Sequence, residues 1–269
     1  MSNVNSLDYL INQQYRRPNN LSARILLHQR YGTGAGNWYD FVLKQLCLKP
    51  EERLFAMGEG NGMQWRSGFA PGAQRNELFL SDLSLGMISE AALELNECSG
   101  VLCLCCDAQS APFEAGQFDA VTAHHMLYHV PDPDKAIAEA VRLLKPTGRF
   151  LAATNGVGHM DGLSKLLIAF APEDESCYRY SDSFTLEDGL VRLRRHFKVV
   201  ERVDYLDDLW VTDASDLANY VFSMSATDGT ISEIRRNELA AFFQSMIDKE
   251  GGIFIAKSTG ILIGREPIS

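Results

Sequence analysis

The sequence predicts an α/β protein whose centre is a mostly parallel sheet with crossover helices. Between residues 53 and 155, short apolar runs alternate with segments of helical periodicity, the pattern of strands joined by helices. Five of these runs are predicted to be strands: RLFAM, ELFLS, VLCLCC, FDAVTA and RFLAAT. The segment DPDKAIAEAVRLLKPTG is predicted to be a helix that ends at its Pro-Thr-Gly sequence. Its apolar positions recur at helical spacing and should face the sheet: Ala136, Ile137, Ala140, Val141 and Leu144.

The segments on either side of this core are predicted to be mostly helical. Before the core, residues 3–48 contain two clear helical patterns, LSARILLHQRYG and NWYDFVLKQLC. After the core, four segments are predicted helices: SKLLIAFA, LEDGLVRLRRHF, DASDLANYVFSM and SEIRRNELAAFFQSMIDKEGG. FKVVERV is a predicted late strand, and GIFIAK and GILIG are predicted to form a hairpin through Ser258-Thr259-Gly260.

Composition and charge exclude several classes of function. The 269 residues carry 35 acidic and 25 basic side chains, a formal charge of −10, and no Lys/Arg cluster. Nucleic acid and anionic membranes are therefore not expected partners. A run long enough to span a membrane is lacking, and the N-terminus lacks the order of a signal peptide, so we expect a cytoplasmic protein. The six cysteines, three of them in VLCLCC, are predicted to be free, buried thiols rather than a zinc site.

A glycine-rich segment follows the first core strand. LFAMGEGNGMQW places Gly58, Gly60 and Gly62 where the backbone could pass close to a ligand, although glycines also form ordinary turns. Asp82 ends the second strand 24 residues after Gly58, near the roughly 20-residue interval of nucleotide-binding folds. A carboxylate there can accept both hydroxyls of a ribose. The alternative is that Asp82 or Ser84 caps the next helix.

The third strand ends in a second candidate contact. Asp107 and Ala108 lie at the carboxyl end of a sheet strand, the edge at which ligands bind in open α/β sheets. Asp107 could accept a hydrogen bond from an exocyclic amine, and the N–H of Ala108 could donate to a ring nitrogen. This pair would recognise adenine, although an Asp at a strand end is often only a turn residue.

Four motifs together resemble those of the class I S-adenosylmethionine-dependent methyltransferases, especially the small-molecule branch similar to ubiquinone and menaquinone C-methyltransferases. In chain order they are GEGNG, DLSLGM, DAQSAPFEAGQFDAV and HMLYHVPDPDKAIAEAVRLLKPTGRF. A nicotinamide-dependent dehydrogenase would share the glycine loop and the ribose acid, but it does not predict the last motif. The resemblance implies a Rossmann-like, doubly wound, mostly parallel seven-stranded sheet with a helical N-terminal lid and C-terminal helical insertions.

The resemblance also implies a domain organisation and a cofactor. Residues 1–48 would be the lid and 49–269 the methyltransferase domain, with its motifs in 53–155 and substrate-covering helices at roughly 160–195 and 205–250. The cofactor would be S-adenosyl-L-methionine, and its product S-adenosyl-L-homocysteine. The implied cofactor contacts are Gly58, Glu59, Gly60, Gly62, Asp82, Leu83, Met87, Asp107, Ala108 and His124.

Two positions depart from the family pattern. The family usually carries an acidic residue at the end of the first strand, where this chain has Ala56, and a small residue or Cys where this chain has Glu59. Glu59 could replace the missing acid from a neighbouring position. The alternative is an eroded cofactor site in a methyltransferase-like protein that acts as a regulatory partner or in non-methylating chemistry.

Methyl transfer requires an aligned acceptor and, for a neutral OH or NH, removal of a proton. The ring-bearing residues after the fourth strand suit that task, so His129, His125 and Tyr128 are the candidate catalytic residues, although packing would also explain them. Candidate acceptor-binding residues are Tyr31, Trp38, Asn155 and His159. Metal dependence is not expected, because no carboxylate stands at clear ligand spacing from these histidines.

The expected acceptor is a small molecule, methylated at O, N or C, and the sequence leaves open whether the chain is a monomer or a homodimer. RNA is disfavoured by the acidic charge and by the absence of an Asn/Asp-Pro-Pro-aromatic motif, while a protein acceptor stays open. Gly32, Gly34 and Gly36 in YGTGAGNW are predicted to make the lid mobile.

Overall fold

The computed structural model describes residues 18–34, 36–66, 77–172, 183–223 and 233–268. The chain divides into two compact units. The sheet unit comprises residues 36–157, 181–205 and 259–269, and the helical unit comprises residues 1–35, 158–180 and 206–258. The predicted N-terminal lid, residues 1–48, thus contributes its first described helix to the helical unit and its second to the sheet unit. The proposed domain boundary at residue 48 stays a prediction.

The described helices are α1 (Pro18–Tyr31), α2 (Trp38–Leu46), α3 (Leu85–Glu94), α4 (Pro133–Leu143), α5 (Asp161–Phe170), α6 (Leu186–Leu193), α7 (Ala214–Ser223) and α8 (Glu233–Glu250). The described strands are β1 (Arg53–Met57), β2 (Glu77–Asp82), β3 (Val101–Cys105), β4 (Phe118–His124), β5 (Leu144–Asn155), β6 (Phe197–Asp204), β7 (Leu209–Val211), β8 (Ile253–Ile255) and β9 (Thr259–Pro267).

Seven of these strands form one sheet in the order β3-β2-β1-β4-β5-β9-β6. The first five are mutually parallel, whereas β9 runs antiparallel to both β5 and β6. The predicted mostly parallel, seven-stranded α/β fold is therefore confirmed.

Helices pack on both faces of the sheet, and successive side chains of a strand point to opposite faces. In β1, Phe55 and Met57 belong to one core cluster with apolar residues of α4, while Leu54 and Ala56 belong to another with those of α2 and α3. All four side chains are fully buried. A parallel strand covered by helices on both faces carries such a continuous apolar run.

The helix of the last motif ends earlier than the sequence suggested. Its predicted core positions Ala136, Ile137 and Ala140 are fully buried, but α4 ends at Leu143. Leu144 already has extended backbone, with φ −72° and ψ 140°, and begins β5. Pro146 restricts the residue before it to extended conformations, so the chain leaves the helix ahead of the proline.

The predicted hairpin of GIFIAK and GILIG is wrong. Residues Ile253–Ile255 pair with Leu209–Val211 in a separate two-stranded sheet, whereas Thr259–Pro267 joins the large sheet. The connection makes other bonds instead of a tight turn: the carbonyl of Ala256 accepts from the N–H of Met160, and the N–H of Lys257 donates to Oδ1 of Asp208. Pattern alone did not reveal that the two strands belong to different sheets.

The helical unit has its own apolar core, formed by α1, α5, α7, α8 and the β7–β8 pair. The end of α1 is attached to this unit by backbone contacts: Gly32 bridges Leu209, and the N–H of Gly34 donates to Oδ1 of Asp207. A Cβ at Gly34 would lie 2.6 Å from the carbonyl oxygen of Leu206, so this glycine is required for close approach. Gly36, with φ +142° and open space around it, has no such constraint. Close packing therefore explains Gly34 without the mobility predicted for the lid.

The cysteine-rich strand is less buried than predicted. Because β3 is an edge strand, Cys105 is exposed and Cys103 and Cys106 are only partly buried. These three residues are free thiols, as expected. Among the helices described, none is long and apolar enough to cross a bilayer.

Candidate functional site

The predicted cofactor residues of the sheet unit follow neighbouring parallel strands. The glycine loop follows β1, Asp82 ends β2 and His124 ends β4, and both β2 and β4 pair with β1. Parallel neighbours place their carboxyl ends at one edge of the sheet. The three motif positions therefore meet at that edge.

The glycine loop adopts backbone conformations that other residues rarely take. Gly58 and Gly60 have φ values of +61° and +59°. A Cβ at Gly60 would lie 3.2 Å from Cε of Met87, and one at Gly58 would lie 2.9 Å from side-chain atoms of Met126. Met87 thus packs on the loop as well as in the core, and Met126 is a loop contact that the sequence did not single out.

Asp82 holds the loop against β2. Its Oδ2 accepts from the N–H of Gly60 at 2.9 Å, and its Oδ1 accepts from the N–H of Ser84 at 2.8 Å. Burial, reinforced by the nearby Glu59, raises the pKa of Asp82, although the backbone N–H groups of Ser84, Gly60 and Leu83 oppose the shift. Each carboxylate oxygen keeps acceptor capacity beyond these bonds.

The side chain that caps α3 is Ser84, whose Oγ accepts from the N–H of Met87. This resolves the alternative that the sequence left open, because Asp82 does not serve as the N-cap. Leu83, between them, is partly exposed, and its carbonyl accepts from Sγ of Cys105.

Asp107 and Ala108 lie just after β3, which is held beside β2 by a bond from the N–H of Cys106 to the carbonyl of Asp82. The carboxylate of Asp107 accepts from both the backbone N–H and the side-chain amide of Gln109. Ala108 is buried. Asp107 therefore has the turn-forming role that the sequence left as an alternative, and its carboxylate is held in a fixed orientation.

Glu59 does not turn outward. Its side chain is 2% exposed, and its Oε1 lies 2.9 Å from Nδ1 of His124, whose side chain is 6% exposed. Nε1 of Trp65 donates to Oε2 at 3.0 Å, and Oγ1 of Thr122 donates to Oε1 at 3.3 Å. Trp65 and Thr122 were not predicted as site residues, although a hydroxyl residue in the apolar strand FDAVTAH is a recognisable signal.

Ala56, the other departure from the family pattern, is fully buried in β1, where its carbonyl accepts from Oγ of Ser81. An acidic side chain is thus missing from the strand end and present three residues later. Glu59, His124, Trp65 and Thr122 form a buried polar group beside the glycine loop, hereafter the Glu59 cluster.

The candidate catalytic residues follow β4. His125 has a left-handed backbone with φ +52°, which is uncommon for a residue with a Cβ, and its N–H donates to the carbonyl of Ala153. Its ring lies 5.2 Å from that of Trp38. Tyr128 and His129 occupy a short 3-10 turn, with their rings 4.5 Å apart. Backbone strain of this kind occurs most often at functional sites.

Trp38 also packs against Tyr205, at 5.2 Å between ring centroids, and the hydroxyl of Tyr205 donates to the carbonyl of Gly36. Tyr205 was missed as a candidate because it stands alone after β6. Asn155 ends β5, where its Oδ1 accepts from the hydroxyl of Thr259 at 2.6 Å. The rings of His125, Trp38 and Tyr205 thus form one aromatic wall of the sheet unit.

Two predicted acceptor contacts lie in the helical unit. Tyr31 is buried there, and its hydroxyl donates to Oδ2 of Asp216 at 2.7 Å; burial and that carboxylate raise the pKa of Tyr31 to about 12. His159 is also buried, with Nδ1 2.9 Å from the carbonyl of Ser258, and burial lowers its pKa to about 4. The described polar contacts of both side chains are structural contacts of this unit.

Within the described ranges, no group of three or more His, Cys, Asp or Glu side chains is arranged to hold a metal ion. The sheet edge instead offers donors and acceptors that suit a nucleoside. Asp82 presents a fixed carboxylate beside the glycine loop, and Nε2 of His124 is buried without a hydrogen-bond partner among the described residues. The residues present therefore fit S-adenosylmethionine.

Comparison with known proteins identifies the same segment. A family model described as "Methyltransferase domain" matches residues 55–152. The ubiquinone/menaquinone biosynthesis C-methyltransferase UbiE of Bordetella parapertussis is 28% identical over 116 residues, which are 42% of this chain and 45% of that relative. The chain thus spans about half the length of the curated relatives it matches.

Solved structures share the fold over more of the chain. The YcgJ protein from Bacillus subtilis covers 86% of this chain and 98% of its own, with a TM-score of 0.59 and 17% identity. Haemonchus contortus phosphoethanolamine N-methyltransferase 2, solved with phosphomonomethylethanolamine and S-adenosylhomocysteine, covers 97% of this chain and 60% of its own, with a TM-score of 0.60 and 20% identity. The strand order and the motifs agree with the family match, which identifies residues 55–152 as similar to a methyltransferase domain.

Proposed function

We propose that the protein transfers a methyl group from S-adenosyl-L-methionine to a small-molecule acceptor at O, N or C. The observation that carries the proposal is Asp82, a partly buried carboxylate fixed by the N–H groups of Gly60 and Ser84 at the carboxyl end of β2. Because Ser84 caps α3, the carboxylate has no capping role to explain it. Its remaining acceptor capacity suits two ribose hydroxyls.

Asp107 and Ala108 would hold the adenine, Met87 would pack on its face, and Leu83 would line the same side of the site. Gly58, Gly60 and Gly62 would let the loop backbone lie against the methionine part. Bound S-adenosylmethionine supplies a methyl carbon activated by its sulfonium. The product to be released is S-adenosylhomocysteine.

His129, His125 and Tyr128 are the proposed residues on the acceptor side. A neutral imidazole of His129 or His125 would take the proton from an OH or NH acceptor, and the Tyr128 hydroxyl would orient that acceptor. Trp38 would exclude water from the acceptor, and Asn155 would donate its amide N–H to it. Tyr31 and His159 stay predictions as acceptor contacts, since their described bonds lie within the helical unit.

Calorimetric titration with S-adenosylmethionine and S-adenosylhomocysteine tests the cofactor. Asp82→Asn should weaken both affinities by roughly 10- to 100-fold, since each hydrogen bond to a charged group contributes about 1.5–3 kcal/mol. Glu77→Gln is the matched control, because Glu77 begins the same strand and makes an exposed ion pair with Arg53. Its affinities should equal those of the wild type.

No saturable binding by a demonstrably folded sample would contradict the proposal and favour the eroded-site alternative. Once binding is established, transfer of a labelled methyl group to a panel of small phenols, amines and activated carbon acids tests the reaction. His129→Asn should lower turnover while leaving cofactor affinity unchanged. Tyr128→Phe, which keeps the ring, separates the hydroxyl from the packing.

A further inference from the structure

The Glu59 cluster contains the buried imidazole of His124, whose Nε2 atom has no assigned role. His124 follows the apolar run of β4, and its Nε2 is buried without a hydrogen-bond partner among the described residues. A buried polar atom that lacks a partner destabilises the folded protein, because it has lost its hydrogen bonds to water. Such an atom beside a ligand-binding loop indicates that its partner belongs to the ligand.

The contact with Glu59 decides which kind of atom Nε2 can bind. Nδ1 of His124 lies 2.9 Å from Oε1 of Glu59. Two lone pairs at this distance would repel, so the hydrogen of a neutral imidazole belongs on Nδ1. The partner of one ring nitrogen fixes the role of the other, so Nε2 carries the lone pair and accepts a hydrogen bond.

Nδ1 lies close to Oε1, but the two atoms are not aligned as a hydrogen bond. Nδ1 therefore also lacks a hydrogen-bond partner. The carboxylate itself is held from its other side by Nε1 of Trp65 and by Oγ1 of Thr122. A small rotation of the ring would align Nδ1–H with Glu59.

The charge of the cluster favours a cationic donor. Glu59 contributes a carboxylate that no Lys or Arg side chain neutralises among the described contacts. At the end of β1 the chain has Ala56 in place of an acid, so Glu59 is the carboxylate on this side of the loop. A cationic N–H group is the ligand chemistry that an acceptor nitrogen backed by a carboxylate attracts.

We infer that Nε2 of His124 accepts a hydrogen bond from the α-ammonium group of the cofactor's methionine part, with Glu59 as its positioning residue. The inference rests on the proposed function. The imidazole of His124, oriented by the carboxylate of Glu59, would replace the acidic side chain that the family carries at the strand end, where this chain has Ala56.

Three probes distinguish the ammonium contact from general binding. S-adenosylmethionine has the ammonium and the carboxylate, its decarboxylated form keeps the amine without the carboxylate, and 5′-methylthioadenosine has neither. Because 5′-methylthioadenosine also lacks the sulfonium charge, S-adenosylhomocysteine, which keeps the ammonium without that charge, is the control and should behave as S-adenosylmethionine does. Calorimetric affinities for all three are measured on the full chain. The dependence on His124 should appear with the first two probes and be absent with the third.

Two substitutions separate the ring nitrogens. Asn at position 124 can place its amide near Nδ1 and keep the contact with Glu59, whereas Gln can place its amide oxygen near Nε2. His124→Asn should weaken S-adenosylmethionine and its decarboxylated form by about 10- to 100-fold. His124→Gln should weaken them by no more than about threefold. Glu59→Gln should fall between the two, because Gln keeps an acceptor oxygen for Nδ1 but removes the carboxylate charge.

Binding of 5′-methylthioadenosine also reports folding, since it should stay within about twofold of the wild type in every variant. Equal losses for all three probes, or no loss in His124→Asn, would overturn the inference while leaving the proposed function intact. A loss for S-adenosylmethionine but not for the decarboxylated form would assign the contact to the carboxylate and overturn it as well. Failure of the wild type to bind S-adenosylmethionine would overturn both.

Discussion

The backbone N–H of Gly60 donates to Oδ2 of Asp82 across 2.9 Å, so the carboxylate expected to hold a ribose also fixes the loop that follows β1. Loop geometry and ligand recognition are therefore coupled through one side chain. A change that moves the loop should affect binding even when it leaves Asp82 in place.

Gly60→Ala should weaken S-adenosylmethionine binding roughly tenfold and lower the free energy of unfolding by about 1–2 kcal/mol. The new Cβ would occupy a left-handed backbone position, with φ +59°, and would lie 3.2 Å from Cε of Met87. Calorimetry and urea unfolding measure the two effects.

Gly116→Ala is the control for backbone strain. Gly116 has φ +70°, and a Cβ there meets no atom within 4 Å. This variant should lose similar stability and keep wild-type cofactor affinity. If both variants lost affinity equally, general destabilisation and not loop geometry would explain the effect.

Arg149→Ala should lower the free energy of unfolding by about 3 kcal/mol. The Arg149 guanidinium donates to the carbonyls of Leu46 and Cys47 at the end of α2 and pairs with Glu52, and both charged side chains are largely buried. Removing the arginine leaves the Glu52 carboxylate without its partner. Amide hydrogen exchange at Val42 and Leu46 should accelerate more than exchange in α4.

Arg265→Ala is the control, since it tests whether removing any ion pair from this sheet lowers the free energy of unfolding as much as Arg149→Ala does. Arg265 pairs with Glu201 where both side chains are about half exposed, so the cost should stay below about 1 kcal/mol. Equal destabilisation by the two substitutions would show that Arg149 does not anchor α2.

Much of the sheet unit was predictable because its signals are local. Alternating apolar runs identified β1 to β5, and the motif order identified their arrangement. The error at β8 and β9 has a different origin: two adjacent apolar runs are compatible with a hairpin, and their separation depends on the partners of Ala256 and Lys257. Those partners are distant in sequence and leave no local pattern.

The site was predictable in the same measure. Asp82 and the glycines were identified by spacing, and Ser84 was already a candidate cap. The orientation of Glu59 was not predictable, because it depends on Trp65, Thr122 and His124, which come from the loop and from β4. The residue that looked like a defect in the motif is part of a buried polar cluster.

Alkylation by iodoacetamide at pH 8 should modify Cys105 well before Cys103 and Cys106. Cys105 is exposed on the edge strand, whereas burial raises the pKa of Cys103 and raises that of Cys106 to about 11. A thiol reacts through its thiolate, which a raised pKa makes scarce. Peptide mass spectrometry over a time course gives the order.

Cys105→Ser should remove the fast modification within this strand, and unfolding in urea should make the remaining thiols react at similar rates. Rapid modification of Cys106 in the folded protein would contradict the burial that the structure gives it.

Lowering the pH from 7 to 5 should destabilise the wild type by about 2 kcal/mol more than His159→Asn. Burial lowers the pKa of His159 to about 4, below the 6.5 of an unperturbed histidine. Between these values the unfolded chain binds a proton that the folded chain does not, so stability falls as the pH falls from 6.5 towards 4. Asn can keep an acceptor near the N–H of Ser258, in the position of Nδ1, and does not titrate. Urea unfolding at both pH values gives the difference, in which the background of the carboxylates cancels, and equal pH dependence in the two proteins would show that His159 is protonated without penalty in the fold.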